Sequence, residues 1–159
     1  MCRGPCQLNG IGGADGGPQV DPYLRPSPTH EIALGRQGCQ SLDVRQLHRK
    51  DLLRRGLWFD WSWTRNNEPA GNIGILTEHD AIVLIYRSRP YGSTEWKGIR
   101  QRVPITWTEC HFGGRRPWFR CTVYARGRYC GRRVATIYHA GDVFACRRCC
   151  GLVPGIKAE

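Results

Sequence analysis

Six of the chain's nine cysteines fall between Cys110 and Cys150, and this crowding constrains the fold more than any other feature. A segment of about forty residues buries too little apolar surface to offset its conformational entropy, so it needs a staple. Cys146-Arg147-Arg148-Cys149 is a C-x2-C pair, a spacing that turns two thiolates back onto one tetrahedral ion. Cys130 is followed by Gly131 and the second pair by Gly151, and fifteen residues separate Cys130 from Cys146, within the usual interval between zinc half-sites. Cys121 then opens the first half-site, with eight residues between it and Cys130 instead of two. The expected ligand set is Cys121, Cys130, Cys146 and Cys149, holding one structural zinc. Competing sets put Cys150 in place of Cys149, or Cys110 or His111 in place of Cys121.

The stretch between the half-sites reads as a hairpin: Val134 to Tyr138, a turn at His139-Ala140-Gly141-Asp142, then Val143 to Ala145. Upstream, the period is two. Leu57, Phe59, Trp61 and Trp63 share one face of a strand, Asn66-Asn67-Glu68-Pro69 makes a turn, and Gly71 to Leu76 makes a second strand. After a turn at Glu78-His79-Asp80, the apolar run Ala81 to Tyr86 suits a central strand covered on both faces. Glu95 to Arg100 reads as a weak strand, and Val103, Ile105 and Trp107 alternate in another. Before the strands, Ser41 is placed to cap a short helix through Leu42, Val44, Leu47, Leu52 and Leu53, stopped by Gly56. The fold class is therefore mainly β: a small antiparallel meander preceded by one short helix, with a C-terminal zinc ribbon. The expected division is a Gly/Pro-rich disordered tail over 1–38, the helix and meander over 39–109, and the ribbon module over 110–159.

The segments Gly113-Gly114-Arg115-Arg116-Pro117-Trp118-Phe119, Cys130-Gly131-Arg132-Arg133-Val134 and Phe144-Ala145-Cys146-Arg147-Arg148-Cys149 resemble a group of small uncharacterised bacterial proteins. That group carries GGRRPWF, CGRRV and FACRxC segments, and the resemblance covers roughly the last two-thirds of the chain. It implies a ribbon-like C-terminus and implies no reaction. In the group the last cysteine is commonly followed by an aromatic residue or His, then Gly-Leu and a Tyr-x-Ser-Gln extension, whereas here Cys150-Gly151-Leu152-Val153-Pro154 follows.

Charge narrows the function. The chain holds 24 Lys+Arg against 13 Asp+Glu, a formal net charge of +11, and such a surface favours acidic partners. Between His111 and Cys150 stand nine arginines and the single acid Asp142. Arginines flanking thiolates on short turns are placed to meet phosphates. The expected nucleic-acid contacts are Arg115, Arg116, Arg132, Arg133, Arg147 and Arg148, with Trp118 and Tyr124 available for stacking. DNA and RNA are not distinguished at this level. The alternative is a zinc-stapled protein-interaction adaptor without nucleic-acid contact. No base, nucleophile and orienting group gather near a Gly-rich turn, and four cysteines close a zinc shell, so no enzyme is expected. No apolar run reaches membrane-spanning length and no signal core follows Met1, so a cytoplasmic protein is expected.

Overall fold

The computed structural model describes residues 29–33, 39–89 and 93–152. In chain order the elements are β1 (Thr29–Ala33), β2 (Ser41–Asp43), α1 (Val44–Arg49), β3 (Trp58–Arg65), β4 (Glu68–Thr77), β5 (Ala81–Ser88) and β6 (Lys97–Glu109). They continue with β7 (Arg115–Arg120), β8 (Tyr124–Ala125), β9 (Arg128–Tyr129), β10 (Arg133–Val134), β11 (Thr136–Ala140) and β12 (Val143–Ala145). The protein is mainly β, with antiparallel sheets, one short helix and a C-terminal cluster of four cysteines.

β3 to β7 form the meander, extended by β10 beyond β7 and by β1, parallel to β3, at the other edge. The tail expected over 1–38 lies outside the described residues apart from the β1 backbone. Strict alternation in β3 puts Phe59, Trp61 and Trp63 on the buried face. Asn66 and Asn67, with φ of 51° and 65°, join β3 to β4 in the two-residue turn that needs left-handed backbone at both positions. The register shifts between Trp63 and Thr64, and Pro69 sits at that bulge, where a missing N–H disrupts no regular ladder. Next to it Gly71 has φ of 136°, and a Cβ there would lie 2.1 Å from Gln40 Nε2, which donates to Ala70 O at 2.6 Å.

The two strands expected around residues 95–100 and 103–107 are one. β6 pairs with β5 without interruption from Lys97 to Pro104, then with β7 from Ile105 to Glu109. Arg100-Gln101-Arg102 contains no turn-forming residue and keeps the alternation: Arg100 and Arg102 face out, and Gln101 faces in with Val103 and Ile105.

The helix also differs from expectation. Ser41 is not its cap, because residues 41–43 pair with β11 (Thr136↔Asp43, Tyr138↔Ser41). Asp43 is the cap, accepting from the Arg45 N–H at 2.8 Å, and its carboxyl is also held by the Arg45 guanidinium. The helix stops at Lys50, with Asp51 at φ 55°, so Leu52 and Leu53 pack from the following turn. The pairing that overrides the helical pattern is 93 to 97 residues away in sequence, where local periodicity carries no sign of it.

β2, β11 and β12 form a second sheet in the order β12-β11-β2. Together with α1 it covers the inner face of the large sheet. Leu42, Val44, Leu47, Ile137 and Phe144 share one core with Phe59, Trp61, Trp63, Leu84 and Phe119. Phe144 stacks on Trp63 at 6.1 Å and meets the Tyr86 ring edge-on at 5.4 Å. Gln101 clamps the Phe144 backbone: Nε2 donates to its carbonyl at 2.7 Å and Oε1 accepts from its N–H at 2.8 Å. The segment after residue 110 thus continues the large sheet and supplies half of the layer packed on it.

Candidate metal centre and basic sheet face

Three short backbone features assemble the centre. Cys121 follows β7, and its N–H donates to Arg132 O while Gly131 N–H donates back to Cys121 O, each at 3.0 Å. Farther out, Cys130 N–H donates to Val123 O, so the residues flanking both cysteines extend the β7–β10 hairpin. Gly131 takes φ of 57° directly after Cys130. Cys146 follows β12, and the turn after it is held by Cys150 N–H to Cys146 O, Gly151 N–H to Arg148 O and Leu152 N–H to Arg147 O. Gly151, at φ 64°, supplies the left-handed step that a side chain would strain.

The structure brings Cys121, Cys130, Cys146 and Cys149 together, all four Sγ atoms lying within 4.8 Å of one another. Cys121 to Cys149 is 3.9 Å and Cys130 to Cys146 is 3.7 Å. Tetrahedral thiolates at a metal–sulfur distance of about 2.3 Å stand roughly 3.8 Å apart, so the spacing fits one ion and is far too long for disulfides. These four residues can hold a metal ion. Tetrahedral S4 donors suit zinc or iron.

The competing ligands lie elsewhere. Cys150 Sγ faces the carbonyls of Tyr138 and Ala145, each at 3.5 Å. Cys110 and His111 are exposed in the turn closed by Cys110 N–H to Gly114 O. The eight-residue interval between Cys121 and Cys130 is filled by the β8–β9 hairpin.

Electrostatics at the site oppose four free thiolates. Burial pushes the Cys121 thiol up, against N–H donors from Cys146, at 3.3 Å from its sulfur, and from Val123. Burial and the neighbouring thiols push Cys149 well above the usual cysteine range. Burial works against ionisation of Cys130 too, but the Arg132 N–H and the surrounding thiols outweigh it and lower its pKa. A divalent cation bound at the centre would offset the repulsion, and the N–H donors already orient two of the sulfurs.

The expected arginines divide between surfaces. Arg116 and Arg120 alternate with buried Pro117 and Phe119, so they share the outer face of β7 with Trp118. Register places Arg133 opposite Arg120 and Arg116 opposite Thr108, and Arg100 and Arg102 continue that face along β6. Arg102 is already engaged by Glu78 and Asp80, at 2.7 Å each. Arg115 lies on the other side, 5.4 Å over the Trp107 ring. Arg132 is exposed between Gly131 and Arg133, Arg148 is exposed in the last turn, and half-buried Arg147 donates from Nε to Leu152 O at 3.2 Å. Trp118 is half-buried, its Nε1 donating to Thr108 Oγ1 at 2.9 Å and its ring covered by Arg116 at 4.3 Å. Sequence reasoning missed Arg100 and Arg120. Reading residues 97–109 as one alternating strand would have found the first.

Among the described residues no helix is long and apolar enough to cross a membrane. Comparison with protein-family models, with curated proteins and with solved structures finds no match.

Proposed function

We propose that the protein is a zinc-stapled β protein that binds nucleic acid through phosphates on the outer face of its large sheet. The observation that supports this is the co-facial set Arg100, Arg116, Arg120 and Arg133 on three neighbouring strands, beside a four-cysteine cluster that would tie down the β7–β10 hairpin once it holds a metal ion. The opposite face is taken by α1 and the small sheet, so the basic face is the side left for a polyanion. Zinc is the preferred ion because a closed four-thiolate shell with backbone N–H donors is typical of its structural sites.

Four phosphate contacts give a log–log salt slope near −3.6 on duplex DNA, about −0.9 for each. Replacing Arg116 and Arg133 by Ala together should flatten it by about two units without changing sequence preference. A titration of metal-replete protein at two salt concentrations measures this, and an unchanged slope in the double variant removes the reading. The adaptor reading draws on Phe112, fully exposed at the tip of the Cys110–Gly114 turn. Under it, Phe112→Ala loses a specific protein from pull-downs while nucleic-acid binding near physiological salt is weak in wild type.

A further inference from the structure

The interval between Cys121 and Cys130 forms a finger at the end of the basic hairpin. β7 and β10 are paired at Phe119 and Arg120, hydrogen bonds continue the ladder through Cys121, Val123, Cys130 and Arg132, and Tyr124 then stands opposite Tyr129. Arg126 and Gly127, at φ 52° and 73°, form the tip. A non-glycine residue in left-handed backbone carries a steric cost, and here it projects an arginine from the end of the finger. The two tyrosine rings are 5.4 Å apart, tilted by 56°, and remain 72% and 49% exposed. They are the most exposed aromatic pair among the described residues, unlike Trp118, whose ring lies under Arg116.

We infer that Tyr124 and Tyr129 form a stacking platform for unpaired bases, so that the preferred ligand is single-stranded nucleic acid. This rests on the nucleic-acid reading above and adds the class of strand and the residues that select it. Arg126 and Arg128 add positive charge to the same finger, and Arg120 and Arg133 stand at its base, four residues from Tyr124 and Tyr129 respectively, at most about 13 Å of extended chain. A strand whose phosphates follow the arginines therefore passes the rings within a few nucleotides. A duplex keeps its bases stacked inside and offers the rings nothing comparable, whereas every unpaired base has a face to stack. The rings also brace a two-residue hairpin across the strands, and the experiment separates that bracing role from base contact.

The test is fluorescence anisotropy on zinc-replete full-length protein, with oligothymidylate, the same backbone carrying abasic sites, and a duplex. Tyr124→Ala with Tyr129→Ala should weaken oligothymidylate binding at least about tenfold and leave the abasic and duplex probes unchanged, while the paired Tyr→Phe variant binds as wild type. Bromodeoxyuridine photo-cross-links on wild type should map to Tyr124 or Tyr129. That measurement decides by itself if the alanine pair loses zinc, and cross-links confined to other residues overturn the proposal. Equal losses on all three probes in a zinc-retaining alanine pair also overturn it. If the alanine pair binds oligothymidylate as wild type does while Arg116→Ala with Arg133→Ala weakens it, the finger is refuted and the phosphate-binding reading stands. If wild type binds none of the probes, both fall.

Discussion

Phe144 lies two residues before Cys146 of the four-cysteine cluster, yet its ring belongs to the core of the large sheet. It is 1% exposed, stacked on Trp63 at 6.1 Å, edge-on to Tyr86 at 5.4 Å and 5.0 Å from the His139 ring. Phe144→Ala leaves a cavity between the two layers and costs about 3–5 kcal/mol. That is a large share of the roughly 5–15 kcal/mol that holds an ordinary domain together. For a chain of this size, at about 2–4 °C per kcal/mol, it lowers Tm by about 6–20 °C. Thermal unfolding followed by tryptophan fluorescence and far-ultraviolet circular dichroism measures it, with Trp63 reporting from beside the cavity. Because β12 runs straight into Cys146, the same variant should release metal faster to a chromogenic chelator. A Tm within about 3 °C of wild type, with unchanged metal release, would show that the two layers do not share a core and refute the packing argument.

Gln101→Ala removes both partners of the Phe144 peptide and should cost about 2–5 kcal/mol in denaturant unfolding, more than an exposed β6 substitution such as Arg100→Ala, because two inward-facing backbone groups are left unpaired. Cys149→Ser should abolish metal retention measured by elemental analysis, whereas Cys150→Ser and Cys110→Ser should retain it, since Cys150 faces two carbonyls and Cys110 is exposed in a turn. Burial lowers the pKa of His139, against the pull of Asp142, and its Nε2 has no hydrogen-bond partner. The unfolded chain therefore binds this proton more readily, so the stabilising contribution of neutral His139 is present above about pH 6.5 and is lost as pH falls below it toward the folded value. Stability measured across that window should vary less in His139→Gln than in wild type.

Much of the meander was legible because each strand states its own face. Phe59, Trp61 and Trp63 alternate, Asn66-Asn67 marks the turn, and Ala81 to Tyr86 is apolar enough for a central position. The cysteine cluster was legible for the same reason: a C-x2-C pair and a glycine behind each half-site are local signals of a local geometry. What escaped depended on distant partners. Residues 41–43 look like the start of a helix until β11 arrives to pair with them. The Gln101 clamp on Phe144 joins residues forty-three apart, and no spacing rule signals it. The arginines were counted correctly by segment but not by face. Which of them point together depends on register, and register emerges only when β6 is read as one strand through Arg100 and Arg102.

The proposed function depends on one ion held by Cys121, Cys130, Cys146 and Cys149. Native mass spectrometry with elemental analysis, on protein kept reduced throughout purification, tests it most directly. The expected result is one zinc per chain, lost on substitution of any one of Cys121, Cys130, Cys146 and Cys149, and lost to chelation together with native tryptophan fluorescence. Reduced protein that carries no metal and keeps its native tryptophan fluorescence and Tm in excess chelator would contradict it.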